Sequence, residues 1–214
     1  FLAEEGKHAI ICVAAGNEAN MGIALKKDFA AAGETVKTFL TPMQPDSLSS
    51  GGKTYYNLRN GQIAAYSNDS TAFELQILVT NAKRGNRVVA RIPLKDNTKG
   101  QPITYASGGD YSMSGAVINQ TFAKAFDGYV TAASMIDPET GRYYAMAQIM
   151  TSDNQKTNQD GNYKLALEIK SKKPGQRVEV YSDAQFIYFD SNKQDGFVSG
   201  TRNGSISDMA CAAN

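Results

Sequence analysis

The chain has no tryptophan, one histidine and only two cysteines in 214 residues. The histidine, His8, stands at the mouth of an apolar run with no catalytic motif around it, where a lone imidazole reads as ordinary structure. Cys12 and Cys211 lie at opposite ends of the sequence, which defines no disulfide geometry; two buried free thiols are expected. Excess charge is missing too: 22 basic against 21 acidic residues leave a net +1, so nothing calls for a nucleic-acid partner. The one basic cluster, Lys170-Ser171-Lys172-Lys173, precedes Pro174-Gly175 and reads as a solvated hairpin tip. No apolar run is long enough for a membrane span or for the core of a signal peptide, and the N-terminus is acidic. A first residue of Phe in place of Met is expected from processing or excision. Gly51-Gly52 and Gly108-Gly109 lack the following Lys-Ser/Thr of a phosphate loop.

Acidic residues are present but scattered. Asp110, Asp127, Asp137, Glu139, Asp153 and Asp160 fall in or beside different turns, without the one-residue alternation of a calcium loop. No cofactor or metal is therefore expected, Ca²⁺ being the only ion worth weighing. Carboxylate pairs for glycoside hydrolysis cannot be assigned from spacing alone. Tyr55-Tyr56, Tyr143-Tyr144, Tyr181 and Tyr188 could form a sugar-stacking platform, but their period-two placement favours core or cross-strand pairs.

From Gly22 to about Ser199 the pattern is a succession of short alternating segments punctuated by turn residues. Strands are expected at Ile23–Phe29 and Thr35–Leu40, as a hairpin across Ala31-Ala32-Gly33-Glu34, with a surface loop over Thr41–Lys53. Further strands are expected at Gln62–Ser67, Phe73–Thr80, Asn86–Leu94, Gly115–Phe122, Gly128–Ile136, Tyr143–Thr151, Tyr163–Lys170, Arg177–Ser182 and Gln185–Asp190. Gln120–Phe126 could be helical, yet its surroundings favour β. In 73–79 the odd positions Phe73, Leu75, Ile77 and Val79 are apolar, as are Tyr163, Leu165, Leu167 and Ile169 in 163–169, and those faces should make the core. The expected fold class is mainly β, an antiparallel two-sheet sandwich, jelly-roll-like.

Residues 1–22 do not fit that pattern. His8-Ala9-Ile10-Ile11-Cys12-Val13-Ala14-Ala15-Gly16-Asn17-Glu18 reads as a strand buried on both faces, as in a parallel α/β sheet. Asn17 sits just past its carboxyl end, where such sheets place active sites. The segment resembles subtilisin-like serine proteases, in which a helix leads into an apolar strand ending Ala-Ala-Gly-Asn-Glu-Gly. Here the match is Ala14-Ala15-Gly16-Asn17-Glu18, preceded by Phe1–His8 as a helix end, with Ala19 where the family usually has Gly. Gly204–Asn214 is similar to the segment that leads into the family's next core strand.

The resemblance implies a division into three: 1–22 from the protease core, 23–199 an inserted β-sandwich, and 200–214 the return to the core. Spore germination proteases of the family carry a jelly-roll domain at the equivalent place. It also implies that Asn17 donates to the oxyanion. Loss of such a donor costs about 2.7–4 kcal/mol in a subtilisin, a figure that belongs to the family. The alternative for Asn17 is a simple turn cap, since Gly-Asn is a common turn pair. The family's Asp and His motifs lie upstream and its Ser motif downstream, so the segment alone is expected to be inactive. Gly109–Gly115 contains a Ser112-Met113 pair, but without the Thr before Ser or the Pro that opens the family's helix it is a decoy.

Implied partners are a polypeptide substrate, reached through the parent protease, and the rest of the protease core, in a secreted or envelope location. The bare strand Ala9–Ala15 should pad the sandwich edge, pair with another copy, or lack order. The competing reading is a non-catalytic β-sandwich module binding carbohydrate or a surface protein. Under the insertion reading, the segments near 17–22 and 205–214 should leave the sandwich together.

Overall fold

A computed structural model describes residues 22–42, 47–94, 102–111, 114–183 and 187–201. Three sheets, antiparallel but for one short strand pair, carry the fold, and the two larger ones face each other as a sandwich. The seven-stranded sheet runs, edge to edge, through β1 (Ala24–Asp28), β13 (Arg177–Ser182), β5 (Arg59–Ser67), β11 (Tyr143–Asp153), β10 (Phe126–Ile136), β8 (Ile103–Ala106) and β9 (Val117–Ile118). The five-stranded sheet runs through β14 (Ile187–Asp190), β2 (Thr35–Pro42), β12 (Tyr163–Lys170), β6 (Glu74–Asn81) and β7 (Arg87–Leu94). A small hairpin pairs β3 (Ser47–Ser50) with β4 (Lys53–Tyr56). Among the described strands only β8 and β9 pair in parallel, over two residues of each.

Alternation decides which face is buried. Ile63, Val130, Ile149, Val178 and Val180 point inward from the seven-stranded sheet, together with Ala65, Ala132, Ala145 and Ala147. Opposite them, β6 supplies Leu75, Ile77 and Val79, and β12 supplies Leu165, Leu167 and Ile169, all within 3% of full burial. Alanines on one sheet thus make room for branched chains from the other, the interlocking that dense packing requires. The five-stranded sheet is also covered outside: Phe197 stacks on Phe39 at 4.2 Å, over Leu78 and Ala166.

The expected hairpin of Ile23–Phe29 with Thr35–Leu40 does not form. β1 pairs with β13 and β2 with β12 and β14, in different sheets. The connection turns a corner because Phe29, only 1% exposed, buries its ring between the layers. Its backbone is taken by Gln176 O and Gly175 N at 2.9 and 2.8 Å, leaving nothing with which to zip the two strands together.

Three other expectations change. Residues 47–53, expected as part of the surface loop Thr41–Lys53, belong instead to the β3–β4 hairpin, which turns about Gly51-Gly52, both at positive φ (58° and 75°) as a tight hairpin turn demands. Ile103–Ala106, not expected as a strand, pairs with β10. Gly115–Phe122, expected as a strand, is instead the two-residue β9 followed by helix α1 (Gln120–Ala125). Asn119 caps that helix, its side chain accepting from Phe122 N at 3.0 Å. Phe122 and Ala125, three apart, bury one helical face.

Candidate functional site

Asn17, Cys12, Cys211, His8, Ala9–Ala15 and the Ser112-Met113 pair lie outside the described residues. What the structure describes is where the sandwich begins and ends. Gly22 takes a positive φ of 65°, and its carbonyl accepts from Phe189 N at 2.9 Å. Phe189 O accepts from Gly200 N at 2.8 Å, and Thr201 N donates to Ala24 O at 2.6 Å. The segments around Gly22 and Thr201 therefore run side by side, antiparallel through the Ala24–Thr201 bridge. A Cβ on Gly200 would fall 2.0 Å from Gly22 O, so only glycine permits this approach.

The topology explains why the ends meet. The first two strands, β1 and β2, lie beside β13 and β12, so the chain closes on itself like a wound ribbon. After β14 the chain crosses the outside of the five-stranded sheet, where Phe197 packs on Phe39 and Val198 N donates to Lys37 O at 2.8 Å. It then arrives beside Gly22.

A buried ion pair sits at the other side of β2. Arg59 and Asp153 are 5% and 3% exposed. Arg59 Nη1 lies 3.2 Å from Asp153 Oδ1 and donates to Asn57 O at 2.9 Å, while Nε donates to Leu40 O at 2.8 Å. Asn57 Nδ2 donates to Asp153 Oδ2 at 2.7 Å. Burial pushes the Asp153 carboxyl up from its ordinary value, opposed by the Arg59 charge and the Asn57 amide. Desolvation likewise lowers Arg59. Through Nε and Nη1 the guanidinium thus ties β2, β5 and β11 together, the arrangement of a structural brace.

The other sequence candidates disperse. Asp137 caps its own turn through Thr140 Oγ1 and Glu139 N at 2.6 and 3.0 Å. Asp160 meets Asn162 and Lys83, and Asp127 meets Asn154. Among the described residues no group of three His, Cys, Asp or Glu side chains could hold a metal. The basic cluster is engaged: Lys170 and Lys172 pair with Glu74, and Lys173 with Asp69. Tyr143 is core, edge-on to Phe73 at 5.0 Å. Tyr144 pairs across strands with Tyr66 at 4.8 Å, and Tyr181 stands 6.4 Å from Tyr66. Burial raises the Tyr144 and Tyr181 phenols, which stay neutral. Arg142 lies over the Tyr66 ring and Lys26 over Tyr181, so these faces already carry cations. Among the described residues no helix is long and apolar enough to cross a membrane.

No protein-family model matches the chain, and no curated protein matches it. Among solved structures, one similar to it is the Clostridium perfringens CspB protease, at 10% identity and a TM-score of 0.43 over 83% of this chain. The chain spans 29% of the length of that protein.

Proposed function

We propose that this chain is part of a subtilisin-like serine endopeptidase, with residues 23–199 a jelly-roll-like domain inserted between the oxyanion Asn and the catalytic Ser. One observation carries the reading: the two ends of the sandwich are stitched together at Gly22 and Thr201, as an insertion into another domain requires. Asn17 stands five residues before that junction, in Ala14-Ala15-Gly16-Asn17-Glu18. On this reading its amide donates to the negative charge that develops on the scissile carbonyl. The His base, its orienting Asp and the nucleophile come from polypeptide on either side.

The inserted domain then does its work by position. A rigid sandwich tethered through two adjacent strands beside a cleft restricts which polypeptides reach it, and steadies the core strand from which Asn17 projects. The protein acts in a secreted or envelope compartment, on peptide bonds, with no metal in the chemistry of this segment. The remaining reading, a free-standing binding module, has no need for joined ends.

The test is made on the full-length parent protein. Asn17→Ala should lower kcat for peptide hydrolysis by about 10²–10³ with KM little changed, because the donor acts on the transition state. The isolated chain should cleave nothing. Parent coding sequence without Asp, His and Ser motifs on the two flanks, or an Asn17→Ala parent of full activity, would sink the proposal.

A further inference from the structure

Away from the junction, the β3–β4 hairpin stands over the outer face of the seven-stranded sheet. Between it and the turn Gly109–Tyr111 lies a groove of about 370 Å³. That volume falls within the range of about 300–1,000 Å³ typical of small-molecule sites. Tyr55 and Tyr111 wall it, Lys53, Thr54 and Gly108-Gly109 form its rim, and Asp127 and Ser152 make its floor. The floor residues stand opposite each other on β10 and β11. They alternate with the buried Phe126 and Thr151, and so point away from the core.

The floor presents two polar groups to an occupant. Ser152 is 6% exposed, yet its hydroxyl has no hydrogen-bond partner among the described residues. A hydroxyl at the floor of a groove can both donate to an occupant and accept from it. Asp127 is held in place from one side, its Oδ1 accepting from Asn154 Nδ2 at 3.0 Å. Asn154 is itself fixed, its Oδ1 accepting from Lys156 N and Thr157 N at 3.0 and 3.2 Å. The second carboxylate oxygen faces no donor among the described residues.

The chemistry narrows the occupant. A carboxylate floor repels anions. Among the described residues the groove offers a single acid, too poor in oxygen ligands for a hard cation. A wholly apolar molecule would leave Asp127 and Ser152 unsatisfied. A sugar ring answers all three demands. Its C–H face lies on a tyrosine, one hydroxyl donates to the Asp127 carboxylate, and a neighbouring hydroxyl exchanges donor and acceptor roles with Ser152. We propose that this groove binds a neutral pyranose. The groove lies on the far side of the sheet from β1, and its occupancy is independent of the protease reading.

The experiment uses the intact 214-residue chain and saturation-transfer NMR with the methyl glycosides of glucose, galactose, mannose and N-acetylglucosamine. At least one glycoside should receive saturation at its ring protons and shift the amides of Tyr55, Tyr111 and Ser152. Tyr55→Ala and Asp127→Asn should each weaken that binding about tenfold. Tyr55→Phe, which keeps the ring, should retain it, and all three should leave the thermal midpoint within about 2 °C. Absence of binding by all four glycosides overturns the proposal. So does binding that survives both Tyr55→Ala and Asp127→Asn unchanged, or displacement of the sugar by an equimolar neutral tripeptide.

Discussion

At the scale of single residues, the most consequential side chain in the described structure is Arg59. Its charge is almost out of water, and it is tolerated because Asp153, Leu40 O and Asn57 O accept from its Nε and Nη1. Replacing it with Met leaves a carboxylate at 3% exposure with only the Asn57 amide beside it. Breaking such a pair from one side costs about 3–5 kcal/mol, so R59M should lower the urea midpoint sharply at neutral pH. The Asp153→Leu, Arg59→Met double variant should recover part of that loss, since no charge is then stranded. A single variant as stable as the parent would show that the pair is not a brace. None of this was legible beforehand. Asp153 was one turn acid among six, and no rule of spacing ties it to an arginine 94 positions away.

At the scale of elements, hydrophobic period alone located most strands, and capping and packing corrected the rest. The alternation in 73–79 and 163–169 identified inward faces that are buried, save Tyr163, which is half-buried at the edge of the core. The 115–122 region misled because Val117 and Ile118 look like the start of a strand, while the decisive signal was the single Asn119 before a helical pair of buried residues. The β3–β4 hairpin was hidden for the opposite reason. Both its strands are solvated, so its serines and threonine carry no burial alternation. The junction is the element most open to challenge. Gly200→Ala forces a methyl group against Gly22 O, and overpacking of this kind costs about 1–3 kcal/mol. The expected outcome is a lower urea midpoint together with faster hydrogen exchange at the Thr201 and Phe189 amides, whose acceptors are displaced. Unchanged exchange at those two amides would show that the ends are not held by these bonds.

At the scale of the whole molecule, the balance of charge conceals an acid sensitivity. Hydrogen bonding from Lys173, then from Thr71, holds Asp69 down at about 2. Bonds from Arg177, Lys27, Lys172 and Thr140 likewise lower Asp28, Glu34, Glu74 and Asp137. Groups whose pKa is depressed by folding bind protons less tightly in the folded chain than in the unfolded one. Their stabilisation is complete above the unfolded carboxylate range, near pH 4, and is lost as pH falls through the folded values. Asp153, raised by burial, acts in the opposite sense. The urea midpoint should therefore fall between about pH 5 and pH 2, and D69N should flatten the lower part of that profile. A midpoint that stays level or climbs over this range would mean that the surface pairs are too screened to matter. The sequence by itself determined the class of fold, because period-two alternation and turn residues are local properties of the chain. It also carried the resemblance at Asn17, since that lies in consecutive residues. Only the tertiary structure decided which strands became neighbours, because pairing depends on contacts between distant segments. The joining of Gly22 to Thr201, the Arg59–Asp153 brace and the Tyr55–Asp127–Ser152 groove all arise in that way: each is assembled from parts of the chain that meet only once the ribbon has wound.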